Sequence, residues 1–349
     1  MTMSIPWQFL WRLPLLALML VVGLALAPGV EAQADPDREA AFAVPAVDAD
    51  TWRLVRSGET GPNYRDSRFG SDYNLVNAAG QTWREIRNRW VSPFGLIAIG
   101  AMLVMIAVFY AIFGRKKLDE PRSGRKLLRW SVVERSLHWS VATLFILLAL
   151  SGLNILYGKH VFHPLFGDGA WGAMIAASKQ VHNYLGPIFG ILLVIILAKF
   201  FLRNLPRRHD LTWFRKGGGL IGKGHVDAGF ANAGEKVWYW LLVTAGLTVV
   251  VSGFVLDFPN YGQGRDTMMW ANVIHAVGAL GLTAVALGHI YIGTLGTEGS
   301  LEGMATGYVD EAWAKEHHNL WYEEVKDQAV AEEQIGDEAE GDSPAPRSG

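Results

Sequence analysis

The chain has 349 residues, of which half are hydrophobic and only 18% charged, with a formal net charge of −2. The charge balance lacks the basic footprint that nucleic-acid binding requires, so no nucleic-acid partner is expected. No cysteine occurs, which excludes disulfides, thiolate-ligated iron–sulfur clusters, cysteine-linked haem and a cysteine nucleophile in this polypeptide.

The N-terminal part divides into an apolar leader and a polar stretch. Residues 1–34 contain a positive charge at Arg12 and an apolar core over residues 13–27, followed by small residues. This is the layout of a secretory signal peptide, with an uncleaved anchor helix as the alternative. Residues 35–92 are polar, with scattered aromatic side chains, and are predicted to form a periplasmic segment without a core of its own. That segment either lies along the membrane surface, partly disordered, or docks an extracytoplasmic partner.

Five hydrophobic segments follow, each about long enough to cross a bilayer as a helix, for which ~20 apolar residues are needed. Lys and Arg are concentrated in the joins at 114–130 and 203–236 and are sparse in those at 158–180 and 257–270. By the positive-inside rule the first two joins are cytoplasmic and the other two periplasmic. The mature N-terminus is then periplasmic, and residues 294–349 form a cytoplasmic tail. The predicted spans are residues 93–114, 137–157, 181–202, 237–256 and 271–293.

The last span carries two histidines whose spacing places them on one face. His275 and His289 are 14 residues apart. At ~100° and 1.5 Å per residue, the second side chain returns to within ~40° of the first, ~21 Å further along the helix axis. His138 opens the second span at its cytoplasmic end, and His182 opens the third at its periplasmic end. Depth in the membrane therefore pairs His138 with His289 and His182 with His275.

Two imidazoles that meet inside a helical bundle suit a six-coordinate haem, whose iron takes one nitrogen from each face. Zinc is a poor match, because a structural zinc site needs four ligands. We therefore predict two haems, with the iron held by the two histidine pairs; a hydrogen-bonded core residue is the other interpretation of each histidine taken alone. Small residues at helical steps from these histidines would let a flat macrocycle approach, although close helix packing explains them as well. These residues are Gly152, Gly186, Gly190 and Gly278.

The start of the fourth span lies level with His138 and His289 and offers a second kind of site. Asn232 before a helix is an ordinary N-cap. The functional interpretation is a quinone pocket formed by the Asn232 side chain and free helix N-terminal amides beside a haem. Arg135 either pairs with a haem propionate or extends to the headgroups. The remaining histidines, His160, His163, His209, His225, His317 and His318, are predicted to lie on the surface.

Six stretches taken in order resemble the membrane cytochrome b (gamma) subunit of respiratory formate dehydrogenases. They span about Val132 to Val325 and read ERSLHWSVATLFILLALSG, VHNYLGPIFG, FFLRNLP, FANAGEKVWYW, IHAVGALGLTAVALGHIYIGTLGTEGSLEGM and EAWAKEHHNLWYEEV. The chain resembles a long form of this family, with a signal peptide and an extra N-terminal span. It departs from the compact members at Glu235, where they tend to have Gln.

The resemblance implies an all-α integral membrane protein: a four-helix transmembrane di-haem cytochrome b bundle over residues 132–293, plus one extra N-terminal transmembrane helix. It implies that His138 and His289 bind the cytoplasmic-side haem b and that His182 and His275 bind the periplasmic-side one. It also implies that a quinone binds beside the cytoplasmic-side haem, near Asn232, Gly234 and His289. The chain would lie in the bacterial inner membrane.

The implied partners are a molybdenum or tungsten pterin subunit that oxidises formate and an iron–sulfur subunit. Membrane lipid is expected around the chain, and the complex is either a single copy or a higher oligomer. Electrons would enter at the periplasmic haem and reduce quinone at the cytoplasmic side, so the chain is expected to be a subunit of a formate:quinone oxidoreductase. The alternatives are the cytochrome b subunit of a hydrogenase or thiosulfate reductase, or a haem-free membrane anchor or transporter.

Overall fold

A computed structural model of the chain describes residues 53, 56, 57, 78–219 and 226–335. The predicted signal peptide over residues 1–34 therefore lies outside the described residues. So do most of the predicted periplasmic segment over 35–92, His225 and residues 336–349.

Five helices in the described part of the chain are long and apolar enough to cross a membrane. Many of their large apolar side chains face outward, as expected where lipid rather than water surrounds the helices. The chain is thus a multi-pass helical membrane protein, which confirms the predicted class of fold. The five helices are Gly80–Phe113, Val132–Val161, His163–Phe200, Ala233–Asp257 and Arg265–Gly296.

Several of these spans contain a π-helical turn and are therefore divided into shorter α-helices. Such turns lie at Ile86–Val91, Leu242–Gly246 and Ile292–Gly296. The α-helices are α1 Ala78–Glu85, α2 Ser92–Phe113, α3 Val132–Val161, α4 His163–Phe200, α5 Arg208–Arg215, α6 Ala233–Leu241, α7 Leu247–Asp257, α8 Arg265–Tyr291, α9 Ser300–Thr306, α10 Glu311–His317 and α11 Asn319–Val325. Short 3-10 turns lie at Leu202–Asn204, Gly217–Gly219 and Lys326–Gln328.

The predicted join at 158–180 is almost entirely helical. Helix α3 continues to Val161, and α4 begins at His163, with a break at Gly167, where φ is +75°. Glycine tolerates this left-handed backbone, so the chain can turn there without a side-chain clash. The first span also begins earlier than residue 93, because α1 and the π-helical turn precede α2 directly. Pro93 lies inside the continuous span Gly80–Phe113, directly after the π-helical turn Ile86–Val91.

A small three-stranded antiparallel sheet is the main departure from the expected all-α fold. Its strands are β1 Arg125–Leu128, β2 Tyr308–Asp310 and β3 Val330–Ala331, in the order β2-β1-β3. Leu127, Val309, Trp313, Ala314 and Trp321 form a buried core beside it. Most of the predicted tail is therefore folded around the first join. The strands have only two to four residues, too few for an alternating pattern to be visible in the sequence.

The described residues form two compact units. The first unit comprises residues 53, 56, 57, 78–97, 145–188 and 248–279, and the second comprises 98–144, 189–219, 226–247 and 280–335. In the second unit, α2 packs against α8, where Phe109 and Tyr110 each lie edge-on to Tyr291 at 6.4 Å between ring centroids. Just after α2, the backbone N–H of Lys116 donates to the carbonyl oxygen of Gly296, and the carbonyl oxygen of Lys116 accepts from the N–H of Glu298.

Candidate functional site

In the first unit, the structure brings His182 of α4 and His275 of α8 together. Their ring centroids are 6.0 Å apart, and the ring planes are inclined by 78°. The Nδ1 of His275 lies 2.9 Å from the carbonyl oxygen of Val249, which can only accept a hydrogen bond. Nδ1 must therefore carry the hydrogen of a neutral imidazole, and Nε2 keeps its lone pair. The Nδ1 of His182 lies 2.9 Å from the Oγ of Ser151.

In the second unit, His138 of α3 and His289 of α8 form the other predicted pair. Their ring centroids are 6.4 Å apart. Trp238 of α6 stacks on His289, with 5.0 Å between centroids and an interplanar angle of 12°. The buried Nδ1 of His138 has no hydrogen-bond partner among the described residues.

The separations of both pairs can be compared with the dimensions of a metal bridged by two imidazoles. Metal–nitrogen bonds to histidine are ~2.0–2.1 Å long. Adding ~1 Å from each nitrogen to its ring centre gives ~6 Å between centroids, close to the 6.0 and 6.4 Å observed. Both pairs thus have the spacing that suits one haem iron each. The role of the four histidines as axial ligands stays a prediction.

The glycines near the first pair contact imidazoles directly. A Cβ at Gly152 would lie 3.2 Å from Cε1 of His182, and one at Gly253 would lie 3.1 Å from Cε1 of His275. At Gly278 it would lie 2.7 Å from Cγ2 of Val249, which is the close helix packing that the sequence analysis left open. Gly152 therefore leaves room for a histidine ring, a reason that the sequence analysis did not consider.

Asn232 is the N-cap of α6, as the simpler interpretation predicts. Its Oδ1 accepts from the backbone N–H of Glu235 at 2.9 Å, while a Glu235 carboxylate oxygen accepts from the Asn232 N–H at 3.0 Å. This reciprocal capping box satisfies two helix N–H groups. Gly234 has a packing reason as well, since a Cβ there would lie 3.0 Å from the Cη2 of Trp213. The quinone-binding role of Asn232 and Gly234 stays a prediction.

Beside α6, a buried guanidinium was missed by the sequence analysis. The side chain of Arg129 is 5% exposed and donates to Glu235 Oε1 at 3.1 Å and to the carbonyl oxygen of Phe230 at 2.9 Å. Its charge also lies 4.9 Å from the ring centre of Trp313 and 5.3 Å from that of Trp130, as in cation–π pairs. Arg129 thereby joins the small sheet to the start of α6.

The surface prediction is wrong for His318. This residue is 1% exposed, and its Nδ1 donates to the carbonyl oxygen of Gly229 at 2.8 Å. Burial, together with the positive charge of Arg129, lowers the pKa of His318 to about 3. Burial also lowers the pKa of the neighbouring His317 to about 4. Two adjacent histidines in a polar tail gave no sign of this burial, which depends on the aromatic core around Trp313.

Arg135 contradicts one of the two interpretations offered by the sequence. It is buried, and its Nη1 donates to the carbonyl oxygen of Ala305 at 2.7 Å, so it does not extend to the headgroups. Its Nε is buried without a partner among the described residues. The pairing of Arg135 with a haem propionate stays untested.

Membrane-spanning helices with histidines facing one another in pairs define the class of membrane-embedded electron-transfer proteins. Residues 129–307 match the family model described as prokaryotic cytochrome b561, and the chain belongs to this family. Membership implies haem b and electron transfer in the membrane.

Several curated relatives are similar to this chain. The cytochrome b556(Fdn) subunit of the nitrate-inducible formate dehydrogenase of Escherichia coli (strain K12) is 29% identical over 211 residues, which cover 58% of this chain and 93% of the relative. The cytochrome b556(fdo) subunit of formate dehydrogenase from the same strain is 30% identical over 207 residues, covering 57% and 93%. The formate dehydrogenase cytochrome b556 subunit of Haemophilus influenzae is 27% identical over 209 residues, covering 57% and 83%.

Proposed function

We propose that this chain is the membrane subunit of a formate dehydrogenase complex and conducts electrons through two b haems to a quinone. The observation that carries the proposal is the presence of two histidine pairs in helices long enough to span a membrane. The relatives are named as cytochrome b556 subunits of formate dehydrogenases, which supports formate dehydrogenase as the complex.

The contribution of the chain at each pair is to present two neutral imidazoles to one iron. His182 and His275 would hold one haem b, and His138 and His289 the other. When bound, haem supplies the one-electron redox chemistry that no side chain at these positions has. The carbonyl oxygen of Val249 fixes the tautomer of His275, so that Nε2 is the ligating atom.

The proposed quinone site lies at the start of α6. Oδ1 of Asn232 is engaged in the cap, whereas its Nδ2 donates to no acceptor within the described part of the chain. The Nδ2 hydrogens are therefore free to bind a quinone carbonyl beside Gly234. The side chain of Glu235 is 42% exposed. Its carboxylate oxygens are engaged by Arg129 and by the Asn232 N–H, so the two protons that a quinone needs for its two electrons would come from water.

The partners proposed for the chain are an iron–sulfur subunit and a molybdenum or tungsten pterin subunit that oxidises formate. We place the protein in the bacterial inner membrane, with the His182/His275 pair on the periplasmic side and the His138/His289 pair on the cytoplasmic side. The basis is the excess of Lys and Arg in the joins at 114–130 and 203–236. Electrons from formate would then cross the membrane, while the quinone takes its protons from the cytoplasm.

The proposal is tested by purifying the protein from membranes with its co-purifying subunits and measuring haem per chain. Two b haems per chain that formate reduces, and that quinone then oxidises, are the expected result. A reduced-minus-oxidised spectrum without b-type absorption would instead identify a haem-free anchor or transporter. Haems that hydrogen but not formate reduces would assign the chain to a hydrogenase complex. Haems that thiosulfate oxidises would assign it to a thiosulfate reductase complex.

A further inference from the structure

Each histidine of the His182/His275 pair in the first unit packs against a serine–glycine dipeptide from a neighbouring helix. Ser151-Gly152 of α3 lies against His182, and Ser252-Gly253 of α7 lies against His275. Both serines are buried, with 6% exposure. The same contact between a Ser-Gly dipeptide and an imidazole thus occurs twice, on two different helices.

The hydrogen bonding around Ser151 determines which nitrogen of His182 faces a ligand. The Ser151 hydroxyl donates to the carbonyl oxygen of Leu148 at 3.1 Å, and its oxygen lies 2.9 Å from Nδ1 of His182. The Leu148 carbonyl oxygen, which can only accept, also faces the His182 imidazole, so Nδ1 carries the hydrogen and the Ser151 oxygen, with its own hydrogen on Leu148, accepts beside it. His182 is thereby held as the tautomer whose Nε2 has a free lone pair.

His275 is held in the same tautomer by two acceptors of unequal strength. The carbonyl oxygen of Val249 lies 2.9 Å from Nδ1, and the Oγ of Ser252 lies 3.3 Å from it. The Ser252 hydroxyl donates to the carbonyl oxygen of Thr248 at 2.7 Å, so its oxygen is free to accept. Ser252 is therefore the weaker of the two partners.

The glycine of each dipeptide fixes the position of the ring. A Cβ at Gly152 or Gly253 would stand 3.2 or 3.1 Å from the Cε1 of the adjacent imidazole, closer than ordinary van der Waals contact. Each ring therefore lies directly on the helix backbone, with the serine acceptor beside its Nδ1. A side chain larger than hydrogen at either position would turn or displace the ring.

The second unit lacks this arrangement. Nδ1 of His138 is buried and has no partner among the residues described, and His289 is covered by the ring of Trp238. An acceptor on Nδ1–H makes an imidazole a more basic ligand, which stabilises ferric iron and lowers the reduction potential. The two pairs therefore differ in how strongly they donate electrons to a bound metal.

We propose that Ser151-Gly152 and Ser252-Gly253 are positioning residues that orient the imidazoles of His182 and His275 and lower the reduction potential of the haem held there. This inference rests on the proposed function, because it requires a haem at that pair. A haem held by His182 and His275 would then be harder to reduce than one held by imidazoles without these Nδ1 acceptors.

The test is a potentiometric titration of the haem bands in the purified complex, with the two steps assigned by His275→Ala and His289→Ala variants. Ser151→Ala should raise the midpoint potential of the first-unit haem by about 59 mV, a tenfold change in the ratio of reduced to oxidised haem for one electron. Ser252→Ala should raise it by less, since the Ser252 oxygen lies 3.3 Å from Nδ1 of His275, whereas the Ser151 oxygen lies 2.9 Å from Nδ1 of His182. Ser151→Thr, which keeps a hydroxyl, should restore the potential.

Ser178→Ala is the matched control, because that hydroxyl accepts from Asn154 and no histidine.

The outcomes separate this inference from the proposed function. No haem in the unmodified protein contradicts the proposed function. Two haems with a first-unit potential that Ser151→Ala leaves unchanged overturn this inference alone. Loss of the haem from Ser151→Ala with recovery in Ser151→Thr supports the positioning role. Equal loss from both variants, or an equal shift in the Ser178→Ala control, overturns it, because the hydroxyl beside His182 is then not the cause.

Discussion

The indole ring of Trp238 lies parallel to the imidazole of His289, with 5.0 Å between ring centroids and 12° between planes. Trp238 belongs to α6, which also begins with Asn232 and carries Glu235 one turn before the tryptophan. One short helix thus supplies both the proposed quinone contacts and the packing of a proposed haem ligand.

Replacing Trp238 with Ala should loosen His289 and weaken haem retention in the second unit. Aromatic pairs contribute about 0.5–1.5 kcal/mol beyond the area they bury. We expect the haem at His138 and His289 to be lost at a lower temperature, measured from the b-type absorption on heating, while the other haem is unaffected. Trp238→Phe keeps a stacked ring and serves as the control. Equal retention in the alanine variant and the unmodified protein would show that the stack does not position His289.

Replacing His275 with Ala should remove one haem per chain and leave the other spectroscopically intact. His275→Ala deletes a ligand of one proposed pair only, whereas the pair of His138 and His289 lies in the second unit. Haem content per chain should fall from two to one. His160→Ala, at an exposed histidine outside both pairs, is the matched control and should retain both haems. Two haems in the His275→Ala variant would contradict the assignment.

The two histidine pairs could be predicted from the sequence because depth and helical period are local properties. A 14-residue spacing puts His275 and His289 on one face whatever packs against them. The Ser151 contact could not be predicted, since it depends on how α3 is rotated about its own axis. The small sheet was missed for a different reason, because Lys126 pairs with Asp310 far along the chain and no short pattern marks either strand. The burial of His318 likewise exists only once this sheet has formed.

Replacing Asn232 with Asp should separate capping from quinone binding. Aspartate is as good an N-cap as asparagine, so the helix start should keep its stability, but the carboxylate has no hydrogen to donate to a quinone carbonyl. We expect quinone reduction to fall at least tenfold, while formate still reduces both haems. Asn232→Ala should impair quinone reduction too and also cost about 1 kcal/mol of stability. Normal quinone turnover in the aspartate variant would remove Asn232 from the site.

The buried His318 should make the folded small sheet and its core sensitive to acid. Because burial lowers the pKa of His318 to about 3 in the folded protein, against ~6.5 when unfolded, the unfolded chain binds the extra proton between these values. The free energy of unfolding is therefore highest above pH ~6.5 and falls as the pH is lowered towards 3, by about 2 kcal/mol at pH 5. The lowered pKa of His317, about 4, acts in the same direction.

The measurement for this pH dependence is thermal unfolding of the purified protein, followed by tryptophan fluorescence, at pH 7 and pH 5. Trp313 and Trp321 lie in the core beside His318, so their emission reports on its loss. The melting temperature should drop between the two pH values, and His318→Gln, which cannot be protonated, should reduce that drop. His160→Gln, at an exposed site, should not. A drop that is unchanged in His318→Gln would mean that other groups control the acid response, and that protonation of His318 is not linked to unfolding of this core.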